Sequence, residues 1–386
     1  MSAQLSLRSG CNPQQAPARA SVAAGRFPID VLNGEPGFIN LLDALTSWQL
    51  VRDLGAATGA VAATSFKHVN PAGAAITRDL STEDRRAAHL DADEVLSATA
   101  NAYVRARGGD RLSSYGDWVA TDHTVDESLA LVLAREVSDG IIAPAYTREA
   151  LELLRRKKQG SYCILEVDDT WTPDPHERRT VFGITIEQAT NTVVPGPQHL
   201  SEFMTTSRHL PEPVHSDVLA GMTAVKHAVS NAVAICHEGQ VIGLAAGQQS
   251  RIDATRLACR KAERWWLRRH PTVLDLPLRP DLTRKQRDNA VDAYLDGHAN
   301  TVASVFTRTP EPLDPTERDE WLTTRPPTSL VSDGAIPFRD NVDRAAAAGV
   351  GWIAQTGGST RDDEVAAAAD EHGITMIATG VRLFTH

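Results

Sequence analysis

The chain has 386 residues, of which 42% are hydrophobic and 23% charged, and its 39 Lys and Arg against 49 Asp and Glu give a net charge of −10. This length and composition predict a globular protein of about two or three domains, and exclude a disordered tail protein, a collagen-like fibre and a disulfide-stapled mini-domain. The acidic balance argues against a general binder of nucleic acid or of membrane surfaces, although it leaves room for a local phosphate pocket.

The four cysteines, Cys11, Cys163, Cys236 and Cys259, form no CxxC pair. Scattered thiols are typical of a reduced, cytoplasmic protein, and they predict neither a zinc ribbon nor a thioredoxin-type site. No apolar run approaches the roughly 20 residues that would span a membrane. The first 26 residues contain no Asp or Glu and resemble a transit peptide. We nevertheless expect this segment to be retained, because Arg8 is a candidate binding residue.

The first half of the chain alternates helical and strand patterns. Apolar residues at Leu41, Ala44, Leu45, Trp48 and Val51 predict a helix over residues 41–54, followed by a buried strand over 59–66 that stops before Pro71. Further helices are predicted at 126–136 and 149–158, and a strand at 162–167. This alternation indicates an α/β layered fold.

Residues 168–215 are rich in Pro, Thr and Asp and are predicted to be a linker. The second half then predicts a helix at 217–228, a hairpin of strands 231–236 and 240–246, and a helix at 252–269 with Ser250 as its N-cap. Charged helical excursions follow over 272–325. The chain closes with a helix at 338–348, a strand at 351–354, a helix at 360–371 and a strand at 374–378.

Two short motifs occur twice. Val137-Ser-Asp-Gly-Ile-Ile142 recurs as Val331-Ser-Asp-Gly-Ala-Ile336, and Lys67-His68 recurs as Lys226-His227. We interpret this as a duplication. It predicts an N-terminal arm over 1–30, one α/β subdomain over 31–195 and a second over 196–386, with a helical insertion at about 272–325.

Lys67-His68 at the end of a predicted strand is the sharpest chemical signal. A histidine moves protons near neutral pH, and an adjacent ammonium stabilises developing negative charge. Both side chains serve one site only if the backbone turns after the strand. A surface lysine beside a hydrogen-bonded histidine is the competing interpretation.

Three other polar residues have two interpretations each, one as a ligand contact and one as an ordinary structural residue. Arg251 follows a strand-to-helix junction that attracts anions, or it belongs to an ordinary capped helix. Asn231 offers an amide to a carbonyl oxygen, or it is a turn residue. Asp340 opens a helix as a ligand contact or as a favourable first-turn acid. No P-loop, GxGxxG or zinc-deaminase signature is present.

Several motifs together resemble one family. They are Ser65-Phe-Lys-His-Val-Asn-Pro-Ala-Gly-Ala74, Arg135-Glu-Val-Ser-Asp-Gly-Ile-Ile-Ala-Pro144, Gly247-Gln-Gln-Ser-Arg251, Trp265-Trp-Leu-Arg268, Pro337-Phe-Arg-Asp-Asn-Val-Asp-Arg344 and Arg382-Leu-Phe384. The order and number of these motifs resemble the transformylase domain of the bifunctional purine-biosynthesis protein, an AICAR formyltransferase. The resemblance runs from about Leu7 to His386 and implies a free-standing transformylase, without the cyclohydrolase domain that normally precedes it.

The resemblance implies two three-layer α/β/α subdomains of cytidine-deaminase-like fold without zinc. It implies a homodimer with active sites at the interface, and partners that are small molecules, a ribotide and a folate. The implied reaction moves a formyl group from the co-substrate 10-formyltetrahydrofolate to the 5-amino group of AICAR, giving FAICAR. Some relatives carry a potassium ion, for which the sequence gives no position.

By resemblance, His68 is the base or proton shuttle, and Lys67 and Asn231 stabilise the formyl oxygen or its proton transfer. Arg8 and Arg382 hold the ribotide phosphate, and Asn40 and Asp139 contact the ribotide. The folate contacts implied in the same way are Arg251, Asp340, Leu112, Tyr115, Ala335 and Ile336.

The sequence departs from the family pattern in the pocket walls. Ser9 replaces a tyrosine, Gln14 replaces a histidine, and Ala335-Ile336 replaces a pair of phenylalanines. Retained chemistry with altered walls suggests a relaxed site or a changed acceptor. We therefore keep two alternatives: a paralogue that formylates an AICAR-like aminocarboxamide ribotide, and a catalytically weak protein that binds ribotide or folate.

Overall fold

The computed structural model describes residues 3–22 and 25–386, so part of the predicted N-terminal arm lies outside the described residues. The first half contains β1 (Gln4–Leu7), β2 (Ala18–Ser21), β3 (Ile29–Asn33), α1 (Phe38–Thr58), β4 (Ala62–Lys67), β5 (Asn70–Ile76), α2 (Thr82–Ala87), α3 (Ala98–Gly109), β6 (Asp117–Thr121), α4 (Glu127–Ala134), β7 (Ser138–Ala143), α5 (Arg148–Arg156) and β8 (Cys163–Val167).

The second half contains β9 (His176–Val181), β10 (Ile184–Ala189), β11 (Glu202–Phe203), α6 (Glu212–Lys226), β12 (Val233–His237), β13 (Gln240–Ala245), α7 (Arg251–Leu267), α8 (Pro271–Leu274), α9 (Arg284–Leu295), α10 (Pro315–Thr323), β14 (Thr328–Ser332), α11 (Arg339–Ala347), β15 (Val350–Gln355), α12 (Asp362–Glu371) and β16 (Thr375–Ala378). No helix among the described residues is long and apolar enough to cross a membrane.

A mixed sheet of 12 strands runs through both halves in the order β11-β16-β15-β14-β12-β13-β5-β4-β6-β7-β8-β3. The halves meet where β13 pairs antiparallel with β5 at Gln240 and Ala75. One core lies between the sheet and α1 with α6, and two further cores lie under the remaining large helices on the opposite face. The predicted α/β class is confirmed, with helices on both faces of the sheet.

The element order of the two halves is the same. Each runs strand, helix, two-stranded hairpin, helix, and then three strands with two helices between them, apart from the short α2 and the α8–α10 insertion. The sequence motifs that suggested a duplication are nevertheless not equivalent in position. Lys67 ends strand β4 whereas Lys226 ends helix α6, and Ser138 begins β7 whereas Ser332 ends β14. The shared element order, rather than the repeated motifs, therefore supports two related halves. The boundary at 195/196 stays a prediction.

The periodic elements were predicted well. Helix α1, strand β4 and the β12–β13 hairpin lie where expected, and the Ser250 hydroxyl caps α7 by accepting from the Asp253 amide at 3.2 Å. Helix α3 was missed because most of its residues are buried, including Arg105 and Arg107, so it lacks a one-sided apolar pattern. The predicted linker is not structureless either, since it contains the β9–β10 hairpin.

The helical insertion packs onto the first half although it belongs to the second half in sequence. Arg86 in the last turn of α2 pairs with Asp275 at 2.5 Å, and Arg111 pairs with Asp288 on α9 at 2.8 Å. The Arg284 guanidinium reaches Glu136 at 2.9 Å. The Arg111–Asp288 pair places α9 against residues 110–116, the loop between α3 and β6.

Candidate active site

Lys67 and His68 occupy a tight turn between β4 and β5. His68 and Val69 both have positive φ, 54° and 58°, a conformation that costs a β-branched residue free energy. The carboxylate of Asp43 on α1 holds the turn by accepting from the Val69 amide at 2.6 Å. Burial raises the pKa of Asp43, and this backbone hydrogen bond and the neighbouring His68 lower it in part. The required change of backbone direction is therefore present, and His68 is exposed.

The two catalytic candidates of this turn are tied to different parts of the chain. Lys67 Nζ donates to the Tyr115 carbonyl at 2.5 Å, which leaves two of its three protons for other acceptors. The Asn70 amide donates to the His68 carbonyl at 3.0 Å and accepts from the Val229 amide at 2.9 Å. Asn70 thus joins the Lys-His turn to the segment that precedes Asn231, a link that sequence reasoning missed.

A cleft of about 340 Å³ opens beside this turn, at the joint of the two halves. Its lining comes from the Lys-His turn and the start of β5, from the end of β13, and from α7: Lys67, His68, Asn70, Pro71, Ala72, Ser113, Leu244, Ala245, Ala246, Leu257 and Lys261. Lys261 was not predicted, and its ammonium pairs with Asp110 at 3.0 Å. The cleft therefore has two ammonium groups and an exposed imidazole, which suits an anionic substrate.

The predicted ribotide residues Arg8 and Asn40 meet at the N-terminus of α1. The Asn40 carbonyl oxygen accepts from the Gly37 amide at 3.0 Å and from Arg8 Nη2 at 3.4 Å. The arm is fixed there because the Phe38 amide donates to the Ser9 carbonyl at 2.9 Å. A guanidinium beside a helix N-terminus attracts an anion such as a phosphate.

Asp139, the third ribotide candidate, lies at the start of β7 and pairs with Lys158 at 2.5 Å. It borders Gly116, where an added Cβ would lie 3.6 Å from its carboxylate oxygens. The neighbouring residue, Tyr115, carries the carbonyl that accepts from Lys67. Asp139 is thus next to the loop that anchors Lys67, and its charge raises the pKa of Asp43.

Asn231 and Arg251 form a second cluster around the buried carboxylate of Asp333. Arg251 donates to the Asn231 carbonyl oxygen at 2.7 Å and forms an ion pair with Asp333. The Asn231 amide nitrogen donates to the carbonyls of Gln248 at 3.0 Å and Gln249 at 3.3 Å. The polar atoms of Asn231 are therefore committed to the loop before α7. Asp333 was not predicted as a site residue.

The C-terminal tail is docked on this second cluster. The Leu383 amide donates to the Asp333 carbonyl at 2.9 Å, and the Ser230 amide donates to the Thr385 carbonyl at 2.9 Å. The exposed Arg382 guanidinium lies 5.0 Å from the centre of the Phe384 ring. Arg382 is thus associated with Asn231 and Arg251, whereas Arg8, its predicted partner for the phosphate, lies at the N-terminus of α1.

The predicted folate contacts are spread over both clusters. Leu112 and Tyr115 lie in the loop after α3, and Asp340 is exposed in the first turn of α11. Ala335 follows Gly334, which borders Arg251 and Phe384. Ile336 is a correction, because its side chain is 1% exposed and packs in the core of the second half, where it is closed to a ligand.

The Tyr115 side chain is partly buried against the helical insertion. Its hydroxyl donates to Asp288 Oδ2 at 2.9 Å, and burial followed by the Asp288 charge raises its pKa. Its ring also has Arg107 and Lys285 within 5.6 Å and 5.7 Å of its centre. Tyr115 therefore contributes its backbone carbonyl to Lys67 and its hydroxyl to α9.

Within residues 3–22 and 25–386, no group of three or more His, Cys, Asp or Glu side chains is arranged to hold a metal ion. The Asp333 carboxylate is fully used by Arg251, Ser230 and the Ala232 amide. The potassium ion implied by resemblance stays a prediction without an assigned position.

A lysine and an exposed histidine on one turn border a cleft in an α/β fold of two similarly ordered halves, an arrangement that suits proton transfer at an anionic substrate. A family model described as the AICARFT/IMPCHase bienzyme matches residues 1–261, and the chain belongs to this family of purine-biosynthesis enzymes. The match contains Arg8, Lys67, His68, Asn231 and Arg251 and ends within α7; Asp340 and Arg382 lie beyond it.

Proposed function

We propose that this chain transfers the formyl group of 10-formyltetrahydrofolate to the 5-amino group of AICAR. The observation that supports this best is the Lys67-His68 turn at the cationic cleft of a chain that belongs to the bienzyme family. The cleft gives the anionic ribotide a favourable potential, and the exposed imidazole is accessible to it.

The chemistry requires help at two atoms. The amine of AICAR is a weak nucleophile because its lone pair is delocalised, so a base must remove its proton as the C–N bond forms. His68 takes that proton in our proposal, and the two free protons of the Lys67 ammonium stabilise the oxyanion of the tetrahedral intermediate. Collapse of this intermediate breaks the bond to the folate nitrogen, which leaves with the proton that His68 accepted from the amine.

Asn231 supports the reaction by position. Its carbonyl oxygen orients Arg251 and its amide nitrogen holds the Gln248–Gln249 backbone, so it fixes the loop in front of α7. Direct contact of Asn231 with the formyl oxygen requires exchange of one of these bonds. Arg8, Asn40 and the N-terminus of α1 hold the ribotide phosphate, because a guanidinium and the positive end of a helix dipole lie together there.

We further propose that the working form is a homodimer that shares its active sites. The β9–β10 hairpin pairs with no other strand of the described chain and exposes Phe182, Ile184 and Ile186. An isolated hairpin with an apolar face is marginal in water, which favours burial against a second copy.

A coupled assay with AICAR and 10-formyltetrahydrofolate tests the transferase. We expect turnover that releases tetrahydrofolate and FAICAR and depends on both substrates. Tight binding of AICAR without turnover would contradict the transferase and favour the ribotide-binding alternative.

One observation favours the paralogue as a second candidate. A Cβ added to Gly37 would lie 2.8 Å from the Ser9 hydroxyl and 3.3 Å from Asn40 Oδ1, so Ser9 borders the predicted ribotide contact. Serine is smaller than the tyrosine of the family pattern at this position. A bulkier aminocarboxamide ribotide would then be formylated with a higher kcat/KM than AICAR in the same assay, and Ser9→Tyr would reverse this preference.

A further inference from the structure

A cavity of about 470 Å³ lies between the first half and the helical insertion, away from the Lys-His cleft. Its walls come from the end of α2 and the loop after it, the end of α7, and α8 and α9: Arg86, Ala87, His89, Leu90, Asp91, Arg268, Val273, Leu274, Leu276, Leu278, Arg284, Arg287 and Val291. One part of the lining is made of guanidinium groups, and the other is aliphatic. This volume is within the range of small-molecule sites.

The charges behind the cationic wall balance one another. Five guanidinium groups share five carboxylates, a net of zero (5 − 5): Arg107, Arg111, Arg264, Arg268 and Arg284 with Asp117, Glu136, Asp288, Asp292 and Asp296. Desolvation lowers the pKa of His89, which hydrogen-bonds Asp288 and adds no charge in its neutral form. Arg86 is balanced by Asp275.

Among the described residues, Arg287 is the one guanidinium of this wall without an acidic partner. It is half-buried and donates only to the carbonyls of Leu282 at 3.2 Å and Pro280 at 3.0 Å. In the described part of the chain no carboxylate lies within salt-bridge distance of it. Asp91, the only acid in the lining, is exposed, where water screens its charge. Partly buried positive charge without a counterion is costly, and a bound anion would remove that cost.

We propose that this cavity is a second binding site, for an amphipathic anion of the size of a nucleoside monophosphate. The phosphate lies against Arg287 and Arg284, and the flat apolar part lies against Leu274, Leu276 and Leu278. Arg287 supplies the positive charge that has no acidic partner among the described residues, and the leucines supply apolar surface. The proposal goes beyond the formyl transfer and does not depend on it.

A short chain of hydrogen bonds connects this site to Lys67. His89 Nε2 and Asp288 Oδ1 are 3.1 Å apart, Tyr115 Oη donates to Asp288 Oδ2 at 2.9 Å, and Lys67 Nζ donates to the Tyr115 carbonyl at 2.5 Å. An anion that draws Arg268 toward the cavity weakens its ion pair with Asp288, and hence changes the support of the loop that anchors Lys67. Occupancy is therefore expected to change kcat.

Isothermal calorimetry on the full chain tests binding, with adenosine 5′-monophosphate, adenosine and inorganic phosphate as probes. We expect two binding events for the monophosphate in the parent, one at the cavity and one at the ribotide site. Arg287→Gln should weaken the cavity event at least tenfold, and Arg8→Gln should weaken the other. Arg318→Gln, an exposed arginine of the same insertion that pairs with Asp319, is the matched control and should leave both unchanged.

Adenosine should bind the cavity at least tenfold more weakly than the monophosphate, and phosphate alone should bind weakly because it leaves the aliphatic wall uncovered. An Arg287→Gln isotherm that superimposes on the parent isotherm would overturn the proposal. Because the readout is heat of binding, a chain without transferase activity still gives a clear result.

The connection to Lys67 is tested by kcat at saturating substrates. The monophosphate should change kcat in the parent and in Arg318→Gln but not in Arg287→Gln. An unchanged kcat in the parent, or an effect that survives in Arg287→Gln, would overturn the connection.

Discussion

The geometry of the Lys-His turn depends on residues far away in sequence. Asp43 fixes the Val69 amide from α1, and Asn70 ties the His68 carbonyl to Val229 in the second half. Both bonds keep two adjacent side chains available at one cleft, although in a strand they would point to opposite faces. The turn, more than the identity of the two residues, makes a shared site possible.

His68→Ala should lower kcat about 100- to 10,000-fold, the usual contribution of a general base. His68 is exposed, so the variant should keep the thermal unfolding midpoint of the parent. Formyl transfer measured at saturating AICAR and folate tests this. His298→Ala, an exposed histidine in the insertion, is the control and should keep full activity. Near-normal activity of His68→Ala would rule out the proposed base.

Asp217 should make stability depend on pH. Its usual pKa is 3.8, and burial raises it to about 7, with the Gly239 amide donating to it at 2.5 Å. Between these values the native state binds the proton more tightly than the unfolded state, so the free energy of unfolding falls as pH rises through this range. The loss is complete above the native pKa.

Asp217→Asn removes the titration and keeps an acceptor for Gly239. The variant is compared with the parent by the free energy of unfolding in urea. The difference, variant minus parent, should be larger (more stabilising) at pH 8 than at pH 5. Asp169→Asn, an exposed control, should differ from the parent equally at both pH values. A pH-independent difference for Asp217→Asn would show that this carboxyl does not titrate as described.

At the scale of elements, the β9–β10 hairpin stands apart from the central sheet. Val181 pairs with Ile184, and Arg179 with Ile186, so one face of the hairpin carries Val181, Ile184 and Ile186. Its side chains are exposed, and Phe182 at its tip is fully so. Sequence reasoning missed the hairpin because neighbouring Pro, Thr and Asp residues resemble a linker. Its residues also have no buried pattern, since no other strand among residues 3–22 and 25–386 pairs with it.

Replacing both Ile184 and Ile186 by Ser should separate the proposed dimer. Light scattering should give about twice 41.7 kDa for the parent and about 41.7 kDa for the double variant, with formyl transfer lost in the monomer. Thr180→Ala, on the opposite face of the hairpin, should remain a dimer. A parent that is monomeric at micromolar concentration would contradict the shared-site proposal.

At the scale of the whole molecule, the insertion is bound to the first half by buried charges. The Asp288 carboxylate on α9 receives Arg111, Arg268, His89 and the Tyr115 hydroxyl, and these bonds together lower its pKa well below the usual range despite burial. The insertion thus supports the loop that anchors Lys67, rather than only extending the second half.

Asp288→Asn should destabilise the protein by about 3–5 kcal/mol, because it leaves the buried guanidinium of Arg268 without its counterion and Arg111 with Glu136 alone. The free energy of unfolding in urea measures this. Asp281→Asn, which removes an exposed partner of Arg279, should cost about 1 kcal/mol or less. A loss below about 1 kcal/mol for Asp288→Asn would show that the network contributes little.

The sequence by itself determined the class of fold, the periodic elements and the identity of Lys67 and His68, because these depend on local patterns and on motifs contiguous in the chain. Tertiary structure alone decided the roles of Asp43, Asn70, Asp288 and Asp333, since each acts through a partner distant in sequence. It also placed Ile336 in the core and showed that the repeated motifs occupy different elements. Local pattern specifies elements, whereas burial and long-range hydrogen bonding specify which side chains meet.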